Sequence, residues 1–358
     1  MYAIGPGVSR VFGIAVLSAL PIASSAAPEY AITDLGTLGG YRSVPNSINQ
    51  RGDVVGVSWL PGDISYHAFL FNGKAMVDLG TLGGANSGAS GINDLGQVVG
   101  YADTADGASH AFLRSGGAMV DLGLSGSTAS AASAINNKSQ IAVSSGSWGL
   151  LYEGGTATDV GTLGGCCVWP SAINNLGQLV GTGTLPGNSI YHAFLYDGGT
   201  LRDIGSLNRH SWGLGINDFG AVVGSTDTSS GIHAFLYSGG SMTDLGALGG
   251  EMSQAQGINN KGQIVGEFMS RTGYRAFLRD SRGMVDINDL IDPDSPWTVE
   301  IGNAVNDAGQ IAAWGCEKTG LACHALLLNP VPEPDTLALF VAGLGMLGWA
   351  SRKRHSLS

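Results

Sequence analysis

Short apolar stretches alternate with glycine-rich polar segments along most of the chain. One unit carries four such stretches, which contain Ile92, Val98, Phe112 and Val120. Each is only a few residues long, and no helical period is sustained between them. The pattern therefore predicts four short β-strands in each unit. Because the stretches are nearly continuously apolar, we expect both faces of each sheet to be covered.

The unit occurs seven times. An apolar residue followed by asparagine recurs at intervals of 44, 43, 38, 43, 42 and 47 residues. Most units also contain His-Ala-Phe, as at His110, and Asp-Leu-Gly, as at Asp121, 11 residues later. Repetition with this period indicates a repeat architecture. The seven asparagines are Asn49, Asn93, Asn136, Asn174, Asn217, Asn259 and Asn306.

Turn signals separate the predicted strands. Asn-Asp-x-Gly or a close variant follows the first strand, where Asn or Asp side chains satisfy backbone donors and Gly accepts a positive φ. Gly-Gly or Asn-Gly joins the third strand to the fourth, as expected for a hairpin. Glycine accounts for 58 of the 358 residues, in keeping with this density of tight turns. Each unit is therefore predicted to be a four-stranded antiparallel sheet.

The ends of the repeat region indicate how the units assemble. An Asp-Leu-Gly strand within residues 30–36 precedes the first unit, and the last unit stops near Leu328 without one. Pairing the orphan strand with the incomplete unit would remove an exposed edge. We therefore predict an all-β, seven-bladed β-propeller over residues 27–329, closed by the N-terminal strand. The alternative is a β-solenoid, whose stacked units need no such end-matching.

The phrases His-Ala-Phe and Asp-Leu-Gly-x-Leu-Gly-Gly resemble the bacterial extracellular repeat family named for His-Ala-Phe (HAF). The resemblance covers roughly residues 30–329. It implies an extracellular repeat protein.

The N-terminal segment has the pattern of a secretory signal peptide. Arg10 precedes an apolar run over residues 11–20, and small residues follow up to Ala26. Ten apolar residues are too few to span a membrane. We predict a signal peptide at 1–26 that includes an α-helical segment.

The C-terminal segment, 330–358, has three parts. A proline-containing motif at 331–334 is followed by an apolar, predicted helical run at 336–350 and a basic end at 352–355. The sequence resembles the PEP-CTERM sorting signal of Gram-negative bacteria that make exopolysaccharide. This resemblance implies processing by an exosortase-type membrane protease; the alternative is an uncleaved tail anchor. The basic end is expected to stay on the cytoplasmic side, making the tail a transient membrane tether. The sorting residues are Pro332, Glu333, Pro334, Arg352, Lys353 and Arg354.

The charge of the chain bears on its class of ligand, and its cysteines bear on its disulfide bonds. The net charge of −11 and the absence of a basic stripe argue against nucleic-acid binding. In an exported protein, Cys316 and Cys323 are expected to form a disulfide. The adjacent Cys166 and Cys167 either form a vicinal disulfide or stay reduced.

The repeated residues are interpreted as structural, because no enzyme needs seven copies of a catalytic group. We expect the repeated histidines to hydrogen-bond between neighbouring strands and the Asp of Asp-Leu-Gly to cap the following link. No metal site or cofactor is predicted.

The residues that break the repeat carry the functional prediction. Trp169 and Trp212 lie five positions before their asparagines, and Arg209 and His210 precede the second of them. We predict that the indoles lie on the rim of the disc and contact glycan, with Arg209 binding a carboxylated sugar; the alternative is that they fill grooves between blades. The leading function is a non-catalytic surface or matrix protein of the biofilm that binds exopolysaccharide or an envelope protein. The alternative is a polysaccharide hydrolase or lyase.

Overall fold

The computed structural model describes residues 29–124 and 129–332. Over these residues the chain forms a seven-bladed β-propeller in which every blade is a four-stranded antiparallel sheet. A single 3₁₀ turn, Ile287–Asp289, is the one helical element within the described ranges. The predicted signal peptide and the predicted helix and basic end of the tail lie outside them.

In blades 1 to 6 the four strands follow each other in sequence from the inside of the ring to the outside. Blade 1 contains β2 (Ser43–Ile48), β3 (Val54–Trp59), β4 (Tyr66–Phe71) and β5 (Met76–Asp78); blade 2 contains β6 (Gly83–Ile92), β7 (Val98–Thr104), β8 (Ser109–Ser115) and β9 (Ala118–Asp121); blade 3 contains β10 (Ser130–Ile135), β11 (Ile141–Ser145), β12 (Trp148–Glu153) and β13 (Thr156–Asp159). Blade 4 contains β14 (Val168–Ile173), β15 (Leu179–Thr184), β16 (Tyr191–Asp197) and β17 (Thr200–Asp203); blade 5 contains β18 (Ser211–Ile216), β19 (Val222–Asp227), β20 (Ile232–Ser238) and β21 (Ser241–Asp244); blade 6 contains β22 (Ser253–Ile258), β23 (Ile264–Ser270), β24 (Gly273–Asp280) and β25 (Gly283–Asp286).

Blade 7 combines the two ends of the described chain. It contains β26 (Trp297–Val305), β27 (Ile311–Glu317) and β28 (Cys323–Pro330), and its fourth strand is β1 (Tyr30–Asp34). β1 runs antiparallel to β28, with Tyr30 opposite Pro330 and Asp34 opposite Leu326. The outer position of blade 7 is thus held by a strand from the start of the chain.

This strand order gives the disc two unlike faces. We call the side with the turns between strands one and two, and between three and four, the turn face. The loop face carries the loops between strands two and three and the links between blades. The loop between strands two and three of blade 3 is only Gly146 and Ser147, short as its spacing predicted, and the loop of blade 6 is equally short. The turn of blade 3 uses Ser139 at φ 63° where other units have glycine.

Five of the seven blades are packed around the phenylalanine of His-Ala-Phe or its variant Arg-Ala-Phe, and blades 3 and 7 have Leu150 and Leu326 in its place. Phe69, Phe112, Phe194, Phe235 and Phe277 are fully buried. Glycine on the second strand provides the space, as blade 4 shows: a Cβ on Gly181 would lie 2.8 Å from Phe194 Cε1 and 2.1 Å from the carbonyl oxygen of Trp169. The repeated Gly and Phe are therefore one packing unit.

Neighbouring blades are joined by a buried serine. Ser211 Oγ accepts from the backbone N–H of Ala193 in the preceding blade at 2.9 Å and donates to the carbonyl of Gly205 in the connecting link at 2.5 Å. Ser43, Ser87 and Ser253 make the same pair of bonds at other seams. The alanine of His-Ala-Phe is thus tied to the next blade.

The seven repeat asparagines form a closed ring of hydrogen bonds. Each side-chain Nδ2 donates to the backbone carbonyl of the asparagine in the next blade, at 2.8–3.2 Å, and Asn306 returns to Asn49. Their exposed fractions are only 2–6%. The following residues form a second closed ring, in which a backbone N–H donates to the next blade's side chain. Members of the second ring are Gln50, Asp94, Asn137, Asn175, Asp218, Asn260 and Asp307.

The repeated histidines hydrogen-bond to aspartates on the neighbouring strands of their own blades, as predicted. Nδ1 lies 2.7–2.9 Å from the Asp carboxylate in the pairs His67–Asp78, His110–Asp121, His192–Asp203, His233–Asp244 and His324–Asp34. The carboxylates also accept the N–H of the glycine two residues later, as Asp34 does from Gly36. The last pair joins β1 to β28.

Candidate functional site

The loop face carries the part of each blade that varies most between repeats. Five residues before each repeat asparagine, the innermost strand has a position that varies between blades. It pairs directly with the residue that follows the second-strand glycine or its equivalent. In blade order these pairs are Val44–Val57, Gly88–Tyr101, Ala131–Ser144, Trp169–Thr182, Trp212–Ser225, Gln254–Glu267 and Ile301–Trp314.

The third strand leaves space beside these pairs, because it presents only alanine or glycine to them. Thr182 is opposite Ala193 and Ser144 is opposite Gly149. Blade 3 is complete with Ala131 and Ser144 at its variable pair. The fold therefore does not require a large ring here, and the indoles of blades 4 and 5 need a reason beyond filling a blade.

Blades 4 and 5 share a continuous series of aromatic rings, which we call the Trp169 array: Trp169, Tyr191, His210 and Trp212. Successive ring centroids are 6.4 Å, 5.6 Å and 5.7 Å apart, and the first and last contacts are stacked at 30° and 25°. All four side chains are partly exposed. Such rings offer flat apolar surface with polar edges, which suits the faces and hydroxyls of sugar rings.

The structure corrects the predicted position of the indoles. Trp169 and Trp212 lie on β14 and β18, the innermost strands of their blades, and not on the outer rim of the disc. The rim prediction was wrong because the link into each blade was assigned to the outside, whereas it crosses the loop face to the inner strand. The structure does bring His210 between the two sides of the array, and Arg209 beside it is exposed.

Hydrogen bonds fix the middle of the Trp169 array. His210 Nδ1 accepts from the backbone N–H of Tyr191 at 3.1 Å, so the proton of the neutral ring is on Nε2. The backbone N–H of His210 donates to the carboxylate of Asp227 at 3.1 Å. This imidazole therefore has a set orientation between its aromatic neighbours.

A vicinal disulfide lies at the entrance to β14. Cys166 is bonded to Cys167, three and two residues before Trp169. The Cys166 N–H donates to Asn188 Oδ1 at 2.7 Å and the Cys167 N–H to Thr184 Oγ1 at 3.1 Å. These contacts tie the link that carries Trp169 to the adjacent loop of blade 4. The second pair, Cys316 and Cys323, is also bonded, across the loop between strands two and three of blade 7.

A second group of aromatic residues lies on blades 1 and 2, and we call it the Trp59 array: Arg42, Trp59, Tyr66 and Tyr101. The guanidinium carbon of Arg42 is 3.8 Å from the Trp59 ring centroid, and the Trp59 and Tyr66 rings are 5.4 Å apart. Tyr101 completes the array from blade 2. Burial and then the hydrogen bond with the Tyr66 hydroxyl raise the pKa of Tyr101. The two tyrosines thus connect neighbouring blades.

The central channel is polar, and its lining includes Asp94, Asp218 and Asp307 of the second ring. It has a volume of about 270 Å³. Seven residues three positions before the repeat asparagines line it: Asn46, Ser90, Ser133, Ser171, Leu214, Gln256 and Asn303. Within the described ranges no cluster of three or more His, Cys, Asp or Glu side chains could hold a metal ion.

Two carboxyl groups, one on the second strand of blade 6 and one on the innermost strand of blade 7, have raised pKa values. Burial raises the pKa of Glu267, although its hydrogen bond with Gln256 acts in the opposite direction. Burial also raises the pKa of Glu300. Glu300 lines a second cavity of about 300 Å³ between blades 6 and 7, which also contains Glu317 and Lys318.

Comparison with known families identifies the tail. Residues 330–354 match the family model described as the PEP-CTERM protein-sorting motif. In the described part of the chain Pro332 is exposed, whereas Glu333, Pro334, Arg352, Lys353 and Arg354 lie outside it. Among residues 29–124 and 129–332, no helix is long and apolar enough to cross a membrane.

Comparison with whole proteins identifies the fold alone. No curated protein matches the chain. A catalytically inactive variant of virginiamycin B lyase from Staphylococcus aureus, solved with quinupristin, is 13% identical with a TM-score of 0.50, covering 85% of this chain and 100% of that one. Acylaminoacyl peptidase from Pyrococcus horikoshii is 7% identical with a TM-score of 0.52, covering 86% of this chain and 55% of that one. At these identities the likeness carries no activity over.

Sequence reasoning named three of the four residues of the Trp169 array and missed Tyr191, and it named no residue of the Trp59 array. Tyr66 and Tyr191 immediately precede the histidine of His-Ala-Phe in their units, which marks them as starting a third strand on the loop face. Trp59 ends its second strand, and Tyr101 directly follows the glycine in the middle of its second strand. Aligning the units on their second and third strands would have grouped these residues with the tryptophans.

Proposed function

We propose that the protein is exported through its signal peptide, is tethered briefly at the inner membrane by its tail, and acts at the cell surface or in the extracellular matrix as a non-catalytic binding protein for exopolysaccharide. The sorting motif at 330–354 supports export and processing by an exosortase-type protease. We assign the seven units to the HAF type on their His-Ala-Phe and Asp-Leu-Gly phrases.

The observation that carries the proposed binding is the Trp169 array. Its rings are partly exposed and centred 5.6–6.4 Å apart, close to the size of one sugar unit. Arg209, exposed beside His210, is proposed to contact a carboxylate of the polymer. The variable pair of blade 3 shows that the fold is complete without such rings, which supports a role in recognition.

The exit of the tail supports an outward-facing array. β28 ends on the turn face, where the N–H of Val331 donates to the Glu29 carbonyl at 2.8 Å and Gln310 Nε2 donates to Asn329 Oδ1 at 2.7 Å. Four residues separate Val331 from the predicted apolar run at 336, a reach of roughly 15–18 Å when extended. We propose that the turn face lies toward the membrane and the loop face points away from it.

A polysaccharide hydrolase or lyase is the second candidate. Glu267 favours it, since a carboxyl with a raised pKa can act as a general acid. The hydrogen-bond partner of Glu267 is Gln256 and not a second carboxyl. None of the seven channel-lining residues that include Gln256, three positions before the repeat asparagines, is ionisable. If purified protein releases new chain ends from a polysaccharide, and Glu267→Gln abolishes that release, the catalytic reading replaces the binding one.

A retention assay tests the binding proposal. The tagged propeller would be passed over polysaccharide from a PEP-CTERM bacterium, beside the double variant Trp169→Ala with Trp212→Ala. We expect the double variant to lose retention about tenfold or more. Trp148→Ala is the matched control, because that indole is 59% exposed and belongs to neither array. Unchanged retention in a folded double variant would end the proposal.

Fractionation tests the location. Tagged protein would be followed in cells with and without exosortase and with and without exopolysaccharide synthesis. We expect the tail to be retained without exosortase and the processed body to enter the medium without polysaccharide. A body that stays in the envelope when no polysaccharide is made would point instead to an envelope-protein partner.

A further inference from the structure

We propose that the Trp59 array is a second sugar-binding site on the loop face, selective for carboxylated sugars. The inference rests on the proposed function, since it extends polysaccharide binding from one array to two. The Trp59 array differs from the Trp169 array in how its cation is held: Arg42 is stacked on the Trp59 ring, whereas Arg209 is exposed beside His210.

Arg42 is the group that selects the carboxylate. Its guanidinium stacks on Trp59, and its Nε is buried without a hydrogen-bond partner in the described part of the chain. Three other arginines, Arg51, Arg275 and Arg282, pair with acids, as Arg51 does with Asp53 at 2.7 Å. A partly buried guanidinium that is held flat and has no protein carboxylate is well suited to bind a planar carboxylate from outside.

Tyr101 occupies the place that the indoles occupy in blades 4 and 5. It lies opposite Gly88, the counterpart of Trp169 and Trp212 on the innermost strand. A Cβ on Gly88 would be 2.7 Å from Cε1 of the Tyr101 ring, so glycine is what allows the ring to fold inward. The same cross-strand pair thus presents an aromatic ring from either of its two strands, as expected if the ring itself is what matters.

The two arrays share one face on opposite sides of the channel. The Trp59 array belongs to blades 1 and 2 and the Trp169 array to blades 4 and 5, with blade 3 between them on one side and blades 6 and 7 on the other. A long polysaccharide can engage both sites at once, and the second contact is then intramolecular. The disc would therefore hold a polymer much more tightly than a short oligosaccharide.

The test compares an anionic with a neutral polymer. Immobilised alginate, which is built of uronic acids, and dextran, a neutral glucan, would be probed with full-length propeller carrying Arg42→Gln. We expect alginate binding to fall about tenfold and dextran binding to stay unchanged. Arg271→Gln is the matched control, since it removes an exposed arginine from the loop face of blade 6 outside both arrays.

A second variant guards against loss of folding. If Arg42→Gln melts early, Arg42→Lys keeps the positive charge and should retain alginate binding within about threefold, with stronger dependence on salt. An Arg42→Gln variant that folds and binds alginate like Arg271→Gln would overturn the second site.

The outcomes also separate the two proposals. An effect of the Trp169 and Trp212 substitutions without an effect of Arg42→Gln or Trp59→Ala removes the second site and leaves the proposed function standing. Wild-type protein that binds neither these polymers nor native exopolysaccharide removes the proposed function itself.

Discussion

Truncating one asparagine of the buried ring should destabilise the whole propeller. The side chain of Asn174 is in four hydrogen bonds: Nδ2 donates to Gln178 Oε1 and to the Asn217 carbonyl, and Oδ1 accepts from the N–H groups of Leu176 and Gln178, all at 2.7–3.0 Å. With about 1 kcal/mol net for each bond, we expect Asn174→Ala to lower the free energy of unfolding by about 3–5 kcal/mol. The residue is 4% exposed, so water has little access to the groups left behind.

Equilibrium urea unfolding, followed by circular dichroism, measures this loss. Asn208→Ala is the control, because Asn208 is exposed and makes a single 3.4 Å bond to Thr228. Asn174→Asp separates donors from acceptors: it keeps the two accepted bonds but points a carboxylate at the Asn217 carbonyl. We expect it to destabilise at neutral pH and to recover partly in acid, when the carboxyl regains a proton. A loss below about 1 kcal/mol for Asn174→Ala would refute the importance of the ring.

Three further predictions concern the seams and the closure of the ring. Ser211→Ala should lower the free energy of unfolding by about 2–3 kcal/mol, because it leaves the buried N–H of Ala193 without a partner. Ser241→Ala, at an exposed serine, is the control and should lower it little. Equal shifts of the two urea midpoints would show that the serine bridge is unimportant. Burial opposes but does not outweigh the His324 and Gly36 hydrogen bonds that lower the pKa of Asp34, so its stabilising effect is present above its unfolded pKa of about 3.8 and is lost as pH falls through the lower folded value. Asp34→Asn should therefore be less stable than wild type near neutral pH, with a difference that narrows in acid; a constant difference would contradict this. Replacing Cys316 and Cys323 together with serine should lower stability by about 2–3 kcal/mol, and unchanged unfolding would show that this loop needs no covalent bond.

Local sequence patterns were sufficient to predict the strands of each blade. The Asn-Asp-x-Gly turns, the hairpin glycines and the end-matching strand predicted four strands in each of seven units because turn chemistry acts over a few residues. The pairing of His67 with Asp78, 11 residues apart, was also predictable, since both lie on the same hairpin. The burial of the phenylalanine follows from its place in one of the short apolar stretches.

The contacts between blades could not be predicted from these local patterns. The bond from Asn49 to the carbonyl of Asn93 joins residues 44 positions apart, and repetition shows only that the asparagine matters, not what it contacts. The Trp59 array is assembled from two blades, so the positions of Tyr66 and Tyr101 within their own units do not show that the two side chains meet. The predicted position of Trp169 was wrong for a related reason, because the route of an inter-blade link depends on the whole assembly.

The hydrogen bond between Val331 and Glu29 brings the two ends of the propeller chain side by side on the turn face. A short peptide could join them, and the backbone could then be opened at an exposed link such as Leu207–Asn208. Such a circular permutant would contain all seven blades in the same neighbour order, with β1 and β28 as a covalent hairpin. Deleting one blade would instead leave both hydrogen-bond rings a member short. The fold should therefore tolerate a new position of its chain termini far better than a change in its number of repeats.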